Sequence, residues 1–209
     1  MRNSNNSKGE TIQRIITAAQ TEFADKGYDG TSLSNIACNA GVTKQLLHYY
    51  FSNKDELYLI SINEASQTIL QLYDKASYDA LSPTEAISLL INRIIDLHIE
   101  MPALTKITLD QGIHHAAHIN EQLGYVPSTK DFINNVIDPL LRRGVLSGEF
   151  RSNIDAGLLY TTVYHIASGC FLIGSSMNRT VPGVDFTSPE GVEIWRAHSV
   201  NFILSSLRA

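Results

Sequence analysis

The sequence is poor in cysteine. It has two in 209 residues, Cys38 and Cys170, too few for the disulfide framework of a small secreted domain. Stretches of sustained period-2 alternation between hairpin turns are missing, which argues against a sheet fold. Apolar runs are short, well under the roughly 20 residues that span a bilayer, so no membrane partner is expected. Met1 to Ser7 is polar and lacks the apolar core of a signal peptide, and a cytoplasmic protein is expected. Positive charge is not in excess either: 16 Lys and Arg face 21 Asp and Glu, a net charge of -5. That excludes a uniformly basic nucleic-acid coat. The charge is uneven, however. Residues 1–60 hold six basic and six acidic residues, so the acidic excess lies wholly downstream. The first sixty residues are free to present basic side chains on one face.

What is present is ordinary globular composition, 44% hydrophobic and 18% charged, in a chain long enough to bury a core without metal or disulfide staples. The spacing predicts an all-α fold. Ile12, Ile15, Ile16, Ala19, Phe23 and Ala24 recur at helical spacing over 8–27, and Gly27 supplies a stop. Ser32 is placed to cap a short helix over 33–40, Gly41 to end it, and Thr43 to cap the next over 44–50. A long helix is expected from Lys54 to Ser77, then another over 84–101. Pro102 begins a further helical stretch to Gly124, expected to break near Gly112. Residues 128–143 are helical in pattern, with a kink at Pro139. Helices over 155–178 and 188–207 complete the chain.

The informative stretch runs from Thr31 to Leu57. Two short helices joined through Ala40-Gly41-Val42-Thr43 make a helix-turn-helix, with glycine at the position that needs positive φ. Ala37 is small enough to let the helices approach, while Ile36, Val42 and Leu47 pin them together. The second helix then offers Lys44, Gln45, His48 and Tyr49 on its outer face. These are a phosphate or guanine contact, an amide that pairs bidentately with adenine, and two rings able to hydrogen-bond or meet thymine methyls.

The pattern Thr-Ser-Leu-x-x-Ile-Ala-x-x-Ala-Gly-Val-Thr, followed by Leu-His-Tyr-Tyr-Phe-x-x-Lys-x-x-Leu, resembles the TetR family of bacterial transcriptional regulators across residues 10–60. The resemblance implies an all-α homodimer with a helix-turn-helix domain at 1–53, its first seven residues a disordered tail, and an effector-binding and dimerisation domain at 54–209. It implies that Ser34, Lys44, Gln45, Leu46, His48, Tyr49 and Tyr50 face double-stranded operator DNA, with Thr43 and Lys54 holding phosphates. Gln45 stands where members often carry a small residue and His48 where tyrosine is common, so the operator sequence is its own.

The C-terminal part carries weaker signals. His114 and His118 have metal-ligand spacing, and Asp110 adds a carboxylate. The alternatives are that His114, His115, His118 and Gln111 form the polar wall of an effector pocket, closed by Leu97, Met101, Tyr164, His165 and Phe171, or that the histidines simply lie on the surface. The pocket is preferred over the metal, and neither a metal nor another cofactor is expected. Ala167, Gly169, Cys170 and Gly174 make a small-residue run in a helix. With Trp195 and Phe202 they are the candidate dimer seam, because the resemblance implies that the last two long helices pair across a two-fold axis. The expected function is a repressor released from its operator by a small-molecule effector, not an enzyme. Two rivals stand beside it: an all-helical metal-dependent enzyme using Asp110, His114 and His118, and a regulator controlled by protein partners.

Overall fold

The computed structural model of the protein describes the backbone of residues 3–70, 74–114 and 125–209, and the side chains of 8–64, 74–112 and 126–209. Among the described residues it is helical, with one isolated antiparallel bridge between Phe150 and Arg208. The elements are α1 (Asn3–Gly30), α2 (Leu33–Asn39), α3 (Lys44–Tyr50), α4 (Lys54–Leu70), α5 (Lys75–Asp79), α6 (Pro83–Glu100), α7 (Pro102–His114) and α8 (Tyr125–Phe132). A π-helical turn (Ile133–Ile137) leads into α9 (Asp138–Leu146), and α10 (Ala156–Thr180) and α11 (Pro189–Leu207) follow.

Local chemistry sets the boundaries. Ser32, Thr43, Ser82, Asp155 and Ser188 each cap a helix by accepting a first-turn N–H, and Ser82 with Glu85 forms a reciprocal capping box. Three expectations change. The helix expected over 54–77 is interrupted: α4 is described to Leu70, and Asp74, with extended backbone, accepts the Ala76 N–H to start α5. A short acidic side chain that bonds its own backbone competes with helix continuation. Gly112 does not break α7, which runs on to His114. Pro139 sits in the first turn of α9, and the turns before it widen to π geometry. That widening accommodates the missing proline N–H and the ring's bulk.

The chain packs as two compact units, which do not follow the boundary expected at 53/54. One comprises Met1–Gln67 together with Ala103–Gly124, the other Thr68–Pro102 together with Tyr125–Ala209. In the first, Ile15, Ile16, Ala19 and Phe23 of α1 meet Ile36, Leu47, Leu57 and Tyr58 in a core with each of these residues at most 2% exposed. Phe23, Tyr28 and Tyr58 form an aromatic cluster, with Tyr58 edge-on to both other rings at 4.9 Å.

In the second unit α6 is the axis. Ala86, Ile87, Leu90, Ile91, Ile94 and Ile95 are buried, and α5, α9, α10 and α11 pack around them. Each isoleucine or leucine so buried contributes roughly 1.5–3 kcal/mol. Arg196 of α11 ties into α6 with a 2.7 Å ion pair to Asp96 and bonds to the carbonyl and side chain of Asn92. By length and composition α10 is apolar enough to cross a bilayer, which short-run counting misses because glycine, serine and threonine interrupt it. Here it packs against α6 and α11.

Space around glycine decides the sign of two substitutions. A Cβ on Gly191 would stand 1.8 Å from the Asp185 carbonyl oxygen, whereas on Gly112 it would meet nothing within 4 Å. Gly191→Ala is expected to lower stability by roughly 1–3 kcal/mol or more. Gly112→Ala is expected to raise it by up to about 1 kcal/mol through helix propensity. Urea unfolding measures both, and changes of the same sign would contradict this packing.

Candidate nucleic-acid interface

The two helices of the motif are positioned from the backbone outward. The N–H of Ala40 closes α2 onto the Ile36 carbonyl, Gly41 turns the chain at φ 64°, and the Val42 N–H bonds the Ala37 carbonyl. Gly41 has the positive φ that side-chain-bearing residues rarely adopt. Ile36 and Ala37 of α2 and Leu47 of α3 are buried, so each helix is held by one face.

The opposite face of α3 is open. Lys44, Gln45, His48 and Tyr49 are exposed, Leu46 and Tyr50 are half-buried, and Leu47 is fully enclosed. Tyr49 is 74% exposed, far too open to be explained by packing. It stands edge-on to Tyr50, whose ring lies under the Lys8 ammonium at 5.8 Å. Ser34 is exposed on α2. The Thr43 hydroxyl accepts the Leu46 N–H at 3.1 Å, which leaves its proton for an acceptor outside the helix.

Lys54 is more constrained. Its ammonium lies 4.5 Å from the Tyr28 ring centroid and 3.4 Å from the Asp29 carbonyl oxygen. The Tyr28 hydroxyl donates to Asp55. Burial, then this carboxylate, pushes its phenol up to about 12, so it is a neutral donor. The start of α4 is thus built around one tyrosine.

Three supporting residues, Glu22, Lys106 and His98, escaped sequence reasoning, and Asp110 takes a role other than the metal ligation considered for it. Glu22, buried in α1, accepts from Lys26 at 2.6 Å, Asn35 at 3.0 Å and Asn39 at 3.4 Å, and so clamps α2 to α1. The Lys26 bond chiefly holds its carboxyl below the ordinary 4.5. Asp110 of α7 accepts the Tyr28 N–H at 2.9 Å, beside Gly27, where α1 kinks at φ 68°. Lys106, one turn earlier, pairs with Asp25 at 3.1 Å. The third is His98, described below. An acid at i with asparagines 13 and 17 residues on is the only sequence signal for Glu22, and it is a weak one.

The expected pocket residues separate. Leu97 is buried in α6, and the neighbouring His98 stacks on Phe171 at 5.2 Å and meets Tyr164 edge-on at 5.9 Å. Burial pushes the His98 imidazole down to about 4, so it is neutral near pH 7. Met101 is half-buried, and Gln111 is buried in the first unit. His165 is exposed, with its Nδ1 2.8 Å from the Thr161 carbonyl oxygen, so it is no wall of an interior site. The side chain of His114, and all of His115 and His118, lie outside the described residues. Asp110, their partner in the metal reading, is engaged with Tyr28.

The expected seam also needs correction. Ala167, Cys170 and Gly174 are buried within the chain. A Cβ on Gly169 would stand 3.3 Å from the Trp195 ring and one on Gly174 3.3 Å from Phe186. Trp195 donates its indole N–H to the Ile166 carbonyl. The small residues therefore serve packing of α10 against α11 and the loop before it. Leu158 and Ile173 on α10 and Ile194 and Phe202 on α11 are exposed apolar residues, of which only Phe202 was expected at the seam.

Residues 15–59 match bacterial regulatory proteins of the tetR family, and residues 83–203 match the tetracyclin repressor-like C-terminal domain. The chain is 22% identical over 200 residues to the transcriptional repressor NicS of Pseudomonas putida, covering 95% of this chain and 92% of that protein. It is 26% identical over 163 residues to the fatty acid metabolism regulator protein of Bacillus subtilis, covering 75% and 79%. Among solved structures, a transcriptional regulator of Streptomyces coelicolor, SCO4942, superposes with a TM-score of 0.71 at 19% identity, covering 94% of this chain and 98% of that one. FadR of Bacillus subtilis in complex with stearoyl-CoA superposes at 0.65 and 20% identity, covering 94% and 99%.

Gln45→Ala is expected to weaken specific DNA binding by about 1–3 kcal/mol and relax preference at one base pair per half-site. Lys54→Ala is expected to weaken all sequences alike and lessen the salt slope by about one unit per half-site. Fluorescence anisotropy across a salt series separates them. An unchanged slope for Lys54→Ala would mean that its ammonium serves only Tyr28.

Proposed function

We propose that this chain, which belongs to the tetR family of bacterial regulatory proteins, is a repressor that reads operator DNA with one α3 from each half of a homodimer. A small molecule bound in the C-terminal unit releases it. The observation that carries this reading is the two-sidedness of α3: Leu47 locks the helix from beneath while Lys44, Gln45, His48 and Tyr49 stand exposed above it. Phosphate contacts from Thr43 and Lys54 set the register, and the α3 side chains read base edges in the major groove.

The two-fold partner belongs on the open face of α10 and α11. Leu158, Thr162, His165 and Ile173 follow one helical stripe, and Ile194, His198 and Phe202 another. His198 stacks on Phe202 with centroids 5.9 Å apart. Exposed large apolar side chains recurring along two neighbouring helices suit an association site. Dimerisation sets the distance between the recognition helices, and DNA accepts them only at about 34–36 Å per turn. An effector that favours a different separation by a few kcal/mol empties the operator.

His98, Tyr164 and Phe171 are proposed as an uncharged wall of the effector site, with Leu97 next to His98 on α6. An effector with an apolar body fits this wall. The stearoyl-CoA bound by the Bacillus subtilis FadR makes acyl compounds the first class to screen.

Phe202→Asp combined with Leu158→Asp is expected to give a monomer at micromolar concentration by sedimentation. Operator affinity would fall by about two orders of magnitude, near 3 kcal/mol, with helicity unchanged. A double variant that stays dimeric would move the seam elsewhere. Binding of wild-type protein to the DNA flanking its own gene, reversed by a metabolite that raises its melting temperature, tests the function as a whole.

A further inference from the structure

Three arginines touch the first helices of the C-terminal unit, and two are saturated. Arg143 of α9 donates to the carbonyls of Tyr78, Asp79 and Leu81. Arg196 is held by Asp96, Glu193 and Asn92. Arg93, in the middle of α6, differs. Its Nη1 is buried and makes no hydrogen bond among the described residues. Its guanidinium carbon lies over the Tyr78 ring, 5.2 Å from the centroid. The nearby acid, Asp74, accepts from the Ala76 N–H and the Ser77 hydroxyl at the start of α5 and also feels the Arg93 charge, but it makes no hydrogen bond to Nη1.

The surroundings are aromatic. Tyr78, 1% exposed, meets Phe132 of α8 edge-on at 5.3 Å, and Phe132 meets Tyr160 of α10 at 6.2 Å. Helices α5, α6, α8 and α10 thus bring one cation and a chain of three rings together. A guanidinium stacked on a ring keeps its in-plane N–H groups for acceptors, in a fork that matches carboxylate or phosphate oxygens. A buried donor left unbonded is unfavourable and is rare in native proteins. Aromatic surfaces beside it suit an apolar body rather than a sugar or a metal ion.

We propose that Arg93 is the anion-binding residue of the effector site and that the effector is an organic anion, a carboxylate or phosphate ester on an apolar body. This rests on control by a small molecule and names the ligand's chemistry. Octanoate, octyl phosphate and octanol, titrated into full-length wild-type, Arg93→Gln and Arg93→Lys proteins, test it, with operator anisotropy followed in parallel. Wild-type protein is expected to bind one of the anions at least tenfold more tightly than octanol, and which anion prevails identifies the head group. Arg93→Gln should bring that anion down to the level of octanol while leaving octanol affinity unchanged, and Arg93→Lys should keep part of the preference.

Equal binding of octanol and both anions to wild-type protein overturns the proposal, and so does undiminished anion binding by Arg93→Gln. If Arg93→Gln fails to fold, the anion-to-alcohol ratio of wild-type protein and Arg93→Lys decides. Release of operator by octanol but by neither anion would leave ligand control standing and remove the anion site. Arg93-dependent anion binding that leaves operator affinity untouched would keep the site and count against ligand control.

Discussion

The DNA-reading unit depends on a kink. Helix α1 leaves helical geometry at Gly27, and the Tyr28 N–H that this frees bonds to the carboxylate of Asp110, 82 residues further along the chain. A buried or half-buried N–H must find an acceptor, and here α7 supplies it. The consequence is topological. Helix α7, which lies inside the stretch matching the C-terminal family domain, packs with the helix-turn-helix in one compact unit. Tyr28 itself extends the constraint, because its ring carries the Lys54 ammonium and its hydroxyl binds Asp55 at the start of α4.

This arrangement gives a physical route for control. The chain crosses between the two units at 67/68, 102/103 and 124/125, and each crossing is continuous backbone. The middle one falls after the first residue of α7, which carries Lys106 and Asp110, just beyond the end of α6, which carries Arg93, Leu97 and His98. In the proposed reading, a ligand held against α6 would act on the element that precedes α7 by one residue in the chain. Allosteric coupling requires that the ligand favour one arrangement of such an element over another, and hydrogen bonds at a kink are suited to having two discrete states.

Legibility from sequence followed the range of the interaction. Ser32, Gly41 and Thr43 could be read because caps and positive-φ turns are decided within four residues. The outward face of α3 could be read because Leu47 and its neighbours follow helical periodicity. The small-residue run of α10 announced a close approach but not the approaching group, which is Trp195 and Phe186 of the same chain. Asp74 looked like one more polar residue in a helix until its carboxylate was seen to start a new one. Glu22, Asp110 and Arg93 were opaque for a different reason. Their roles rest on partners far along the chain or, for Arg93, on an Nη1 with no acceptor among the described residues, and periodicity carries neither.

The coupling of α7 to the reader is tested most directly by operator affinity in two variants of Asp110. Asp110→Ala removes the acceptor for the Tyr28 N–H, whereas Asp110→Asn retains an oxygen there. Loss of a hydrogen bond to a charged group corresponds to about 1.5–3 kcal/mol. The account predicts that Asp110→Ala shifts operator affinity tenfold or more, with faster amide exchange at Tyr28, while Asp110→Asn stays near wild type. An Asp110→Ala protein that exchanges faster at Tyr28 yet binds operator as wild type does would show that the kink holds α7 in place without governing DNA reading.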